Sequence, residues 1–182
     1  MGRKDRYLKC AVAAFFFATP IVAETDELAA LLEGLKSADA STATQIEKRI
    51  FEIWSRSGSA SMDLLLSRGR EALEEGDTIL AIRHFSALID HAPEFAEGYN
   101  RRATAYFQEG RLGLSLEDIR RTLELNPQHF SAMTGLALIM EELGFPDEAL
   151  STWREIERFH PNSDGLSESM TRLERKVEGA SL

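Results

Sequence analysis

An all-α solenoid of three helix-turn-helix repeats, with further helices flanking it on both sides, is the fold class this sequence predicts, on three observations. Gly76, Gly110 and Gly144 are equally spaced. Pro93, Pro127 and Pro161 keep the same interval. Small and large side chains recur in step with both. Two residue types chosen for backbone reasons, sharing a period of roughly 34 residues through three copies, mark stacked units that cannot bury their apolar faces singly. The repeats are 62–95, 96–129 and 130–163.

Each element has its own reason. The glycine follows one apolar run and precedes another, where a residue free of Cβ strain ends a helix and reverses the chain. The proline stops the second helix, because it lacks an N–H and restricts the residue before it. Pro146 differs: it follows Gly144-Phe145 at a helix's first position, where the missing donor costs little. Counting each repeat from 1, position 8 is Gly69, Ala103 and Ala137, position 20 is Ala81, Ser115 and Ala149, and position 24 is Phe85, Ile119 and Trp153. Small residues at 8 and 20 bring two helices close, and the large one at 24 fills the space beneath them.

These offsets closely resemble the tetratricopeptide repeat. Tyr99 to Tyr106 is the best match; positions 4 and 11 hold two aromatics only in that middle repeat, against Leu65 and Ala72, and Met133 and Met140, in the others. The resemblance covers 102 of the 182 residues.

A repeat array needs ends. Leu166, Met170, Leu173 and Val177, with charges between them, predict an amphipathic capping helix within 164–182. On the other side, Leu28, Leu31, Leu32 and Leu35, then Ile46, Ile50, Ile53 and Trp54, predict two helices within the flank 24–61, with Thr42 and Gln45 as a capping box and Gly58 as a stop. This flank reads as a decayed repeat or as a front cap.

Residues 1–23 read as a secretion signal: basic through Lys9, apolar from Cys10 to Ala18, and ending Ile21-Val22-Ala23 before Glu24. Cleavage is expected after Ala23, giving a periplasmic or secreted product without a membrane span. The apolar run is shorter than the roughly 20 residues a spanning helix needs. Cys10 is the sole cysteine, so the mature chain is expected to hold no disulfide or thiol nucleophile.

The formal charge is −9, and −12 once residues 1–23 are removed. A body this acidic repels phosphate backbones, which argues against nucleic-acid binding. No cofactor, metal or catalytic residue is expected. His84 and His91 share a helix face about 10.5 Å apart along the axis, too far for one metal, and His129 and His160 lack ligand spacing. The acidic pairs Glu74-Glu75, Glu117-Asp118 and Glu141-Glu142 diverge by about 100° on a helix, as solvated faces do. No serine sits in a nucleophile motif, and the glycines mark turns.

What the resemblance implies is a concave groove lined by the first helix of each repeat. Carried onto this sequence, the groove candidates are Leu66, Arg70 and Leu73, then Asn100, Thr104, Phe107 and Gln108, then Thr134, Leu138 and Glu141. The apolar members stand out as side chains the repeat's own core does not need. They suit an apolar helix face or an extended peptide. Self-coverage by the N-terminal helices, a second copy and an external protein of the cell envelope all remain open, as do a self-associating role and an unrecognised enzyme. Family members of the Hsp90-binding type hold a C-terminal carboxylate with basic residues in the first and third repeats. Here Ser131 and Gly135 occupy the third-repeat positions, so that clamp is missing.

Overall fold

The computed structural model describes residues 20–180, which form helices and no strand. Positions 1–19 of the expected signal lie outside this range, and Pro20 to Ala23 open the first helix. The helices are α1 (Pro20–Leu35), α2 (Ala40–Trp54), α3 (Ala60–Glu74), α4 (Thr78–His91), α5 (Ala96–Gln108), α6 (Leu112–Leu125), α7 (Phe130–Glu142), α8 (Pro146–Glu157) and α9 (Leu166–Ala180). The pairs α3–α4, α5–α6 and α7–α8 are the three repeats, stacked in chain order.

The repeat glycines do what their spacing predicts. Gly76, Gly110 and Gly144 have φ of 81°, 68° and 82°, a left-handed backbone that costs a side-chain-bearing residue about 1–2 kcal/mol. Behind each, the next residue's N–H returns to a carbonyl of the finished helix: Asp77 to Ala72 at 2.8 Å, Arg111 to Tyr106 at 2.9 Å and Phe145 to Met140 at 2.8 Å.

Packing within the repeats follows the small-and-large register. Ala81 and Ala149 are fully buried, and the Ser115 hydroxyl at the same position donates to the Ala103 carbonyl at 2.8 Å, so its polarity is satisfied inside the contact. In the first repeat the pair at positions 8 and 24 is at its most extreme. A Cβ added to Gly69 would lie 2.3 Å from the buried Phe85 ring, so the ring takes the space an alanine methyl would need. At the far end α9 closes the array: Leu166 and Leu173 are buried with Trp153 and Ile156, and Met170 and Val177 pack alongside.

The N-terminal helices depart from expectation twice. The α2 cap is Asp39, whose carboxylate accepts from the Thr42 N–H at 2.9 Å, so the helix starts ahead of the expected Thr42–Gln45 box. An aspartate placed three residues before that amide captures it first. Nor do α1 and α2 stack in front of α3. Their apolar sides close on each other and on Phe130 and Phe159, at the start of α7 and just beyond α8. The hairpin is thus a fold-back onto the second and third repeats.

Candidate interaction surface

The hairpin packs on the start of α7, and a pocket between α5, α6 and α7 is left open.

Where the hairpin packs, Trp54 stacks on the His129 ring with centroids 4.3 Å apart, and Phe51 meets Phe130 edge-on at 5.2 Å. His129 is fully buried and its Nε2 lies 3.1 Å from Oε2 of Glu97, a carboxylate only 1% exposed. Asn100 Nδ2 donates to that same oxygen at 3.0 Å, and Arg101 Nε donates to Oε1 at 2.5 Å. Burial pushes the Glu97 carboxyl up, but the His129 hydrogen bond and the Arg101 charge outweigh it and hold the group below its ordinary value. A second buried histidine, His160, pairs through Nε2 with Glu47 of α2, and Asn162 Nδ2 donates to the Ala38 carbonyl at 2.6 Å.

Of these seam residues the sequence singled out only Asn100, as a groove candidate; His129 and His160 were expected to be structural, and the pairs they form were not foreseen. Glu97 and His129 are separated by 32 in the chain, close to one repeat, and residues one repeat apart are neighbours in a stack. That signal was available. Glu47 and His160 are 113 apart and share no period.

Away from the hairpin, a pocket of about 200 Å³ lies between α5, α6 and α7. Asn100, Thr104, Phe107, Thr134 and Leu138 line it, so five of the ten groove candidates come together, over a floor that includes Ala103, Ile119 and Ile139. Asn100 reaches it already committed to Glu97. The other five disperse. Leu66 is 3% exposed and shares a cluster with Phe85, Leu88 and Ala105, so it serves the interior and offers nothing to a ligand. Leu73 packs on that same cluster. Glu141 is held by Arg172 of the capping helix at 2.8 Å, Gln108 is exposed beyond the pocket, and Arg70 faces α2 across a separate cleft.

The neighbouring aromatics Phe107 and Tyr106 face different surroundings. Phe107 lines the pocket yet leans on the Ala103–Ile119 cluster. Tyr106 is half-buried beneath two guanidinium groups, with Arg111 4.9 Å and Arg102 5.8 Å from its ring centre. It is a surface cation–π site rather than a core ring.

A family model described as the tetratricopeptide repeat matches residues 66–123 and 102–164. A TPR repeat-containing protein of Rhizobium etli is 32% identical over 141 residues, covering 78% of this chain and 69% of the relative. The chain belongs to the tetratricopeptide-repeat family. Hsp70-Hsp90 organizing protein 1 of Glycine max is 26% identical over 114 residues, 63% of this chain but only 20% of that protein. Among solved structures, the first tetratricopeptide-repeat domain of Spaghetti (RPAP3), bound to the HSP90 peptide SRMEEVD, superposes with a TM-score of 0.62 at 18% identity, covering 64% of this chain and 93% of that one. The Sgt2 domain of Aspergillus fumigatus gives 0.63 at 22% identity, covering 68% and 83%. Within this tetratricopeptide-repeat frame, Ser131 and Gly135 both line the open pocket, which therefore has an uncharged wall where the Hsp90-binding type carries cations.

Proposed function

We propose that the protein is an exported tetratricopeptide-repeat scaffold of the cell envelope that holds another protein or peptide on its inner face and performs no chemistry of its own. The observation that carries this reading is the open pocket between α5, α6 and α7: it is mainly apolar, and Leu138 in its lining is 39% exposed. An exposed leucine beside a half-buried phenylalanine suits an apolar anchor, with Thr104 and Thr134 available for hydrogen bonds. The acidic, signal-bearing sequence supports the envelope assignment.

The test is crosslinking capture from the envelope of the exporting cell, comparing the wild type with Leu138→Asn. Losing an anchor worth about 1.4 kcal/mol lowers affinity about tenfold. Because Leu138 is exposed, its melting temperature should barely move, whereas Phe107→Ala should lose both binding and stability. Mass spectrometry of the captured protein is expected to find Glu24 as its first residue, and an intact Met1 would overturn the cleavage. A second reading, self-association, is favoured by Ile79, Leu80, Leu114, Leu143 and Phe145, exposed at or near the turns within the repeats. Light scattering decides it: a monomer at working concentration excludes that role.

A further inference from the structure

The fold-back of α2 creates a second cleft, of about 630 Å³, between itself and the inner helices α3 and α5. Four cations line it: Lys48 and Arg56 from the hairpin, and Arg70 and Arg101 from the first two repeats. Its two carboxylates are already engaged, Glu47 by His160 and Glu52 by Arg49. Lys48 and Arg70 are exposed and form no ion pair among the described residues, and Arg101 is tied to Glu97 through Nε, leaving its terminal nitrogens open. Lys48, Arg70 and Arg101 thus bring open positive charge together in a chain with 30 acidic residues against 21 basic ones. Several cations outside the cleft have acidic partners, as Arg102 has Asp118, Arg120 has Glu117 and Glu124, and Arg172 has Glu141; what distinguishes the cleft is that its open cations lie side by side.

We propose that this cleft receives an acidic stretch of a partner polypeptide, lying along α2 with its carboxylates on Lys48, Arg70 and Arg101 and its aliphatic stems on Phe51. The proposal rests on the inner face being a partner surface and gives that partner its chemistry. Guanidinium groups bind carboxylates through paired, directed hydrogen bonds. Lys48 and Phe51 belong to the hairpin, so the complete site exists only while the hairpin is docked. The surrounding negative field repels acidic chains everywhere else, which makes the cleft selective in position as well as in charge.

The test is fluorescence anisotropy of a fluorescein-labelled hexaglutamate peptide with the exported protein. Binding is expected at low ionic strength and should weaken as salt approaches about 0.1 M, where screening acts over about 10 Å. Arg70→Glu and Lys48→Glu should each weaken it about tenfold, while Arg83→Glu, an equal charge change at an exposed site on α4, should have less than about a twofold effect. Circular dichroism confirms that the variants fold. Equal loss with Arg83→Glu would reduce the effect to net charge and overturn the proposal, as would absence of binding. Displacement by inorganic phosphate at the peptide's own carboxylate concentration would make it a phosphate site instead. Leu138→Asn separates the two readings: it should leave hexaglutamate binding intact while losing envelope capture. If hexaglutamate fails while capture survives, the cleft falls and the scaffold stands.

Discussion

Two tryptophans show how differently this molecule is held together in two places. Trp153, at position 24 of the third repeat, is buried among Met133, Ala137, Ala149 and Leu173, as Phe85 and Ile119 are at the equivalent places in their own repeats. Trp54 is also buried, but it lies at the seam between the hairpin and the repeats, stacked on a histidine that is bound in turn to a buried carboxylate. Among the described residues neither indole N–H has a hydrogen-bond partner. The first ring is held by shape alone and the second by shape joined to a polar network. The stack thus depends on periodic packing, and the hairpin on a few specific pairs.

The largest effect that would break this comparison is truncation of each ring. Trp153→Ala is expected to cost about 3–5 kcal/mol, the range for large aromatics in cores, and to lower the melting of the whole array, since α7, α8 and α9 all rest on it. Trp54→Ala should leave the repeats folded and free the hairpin, seen as rapid hydrogen exchange in α1 and α2 with continued protection of α4 to α8. If both variants lose protection everywhere, hairpin and stack are one cooperative unit and the distinction fails.

A smaller effect sharpens the stack side. Gly69→Ala should cost about 1–3 kcal/mol through overpacking, because the Phe85 ring has nowhere to go. Adding Phe85→Leu should recover part of that loss by vacating the space, and thermal melting of the single and double variants measures the coupling. Strictly additive losses would show that the ring and the glycine do not compete.

The smallest effect concerns the seam and is confined to acid. The Glu97 carboxyl sits below its ordinary value near 4.5, so the stability it contributes is complete above that value and is lost as the pH falls through the lower folded-state value. Hairpin docking, followed by Trp54 fluorescence, should therefore be insensitive to this group between pH 7 and about pH 5 and loosen below. Glu97→Gln should flatten that acid limb. An unchanged limb would assign it to another carboxylate.

The repeat stack was legible because its causes recur. A glycine and a proline returning at one fixed interval, and a small residue facing a large one in step with them, are enough to set the register. The site was only half legible for the same reason. Positions 5 and 12 of the first repeat, Leu66 and Leu73, were expected to face outward, yet the packing around Phe85 and Leu88 drew both toward the interior. The docking of the hairpin could not be read, because the direction in which α2 turns depends on Trp54, Glu47 and Asn162 finding partners far away in the chain. Nothing local encodes those meetings.

That distance has a consequence for how the chain reaches its native state. Stacked repeats touch mainly their sequence neighbours, so the array can grow outward from any nucleus, one unit at a time. The contacts Glu47–His160 and Ala38–Asn162, by contrast, close loops of 113 and 124 residues, and their far ends are in place only after α8 has formed. Loop-closure entropy rises only with the logarithm of length, so a finished stack bears it far more readily than a bare chain does. The hairpin is therefore expected to dock last, onto a stack that already stands without it, so that its two long loops close at the least entropic cost the chain offers.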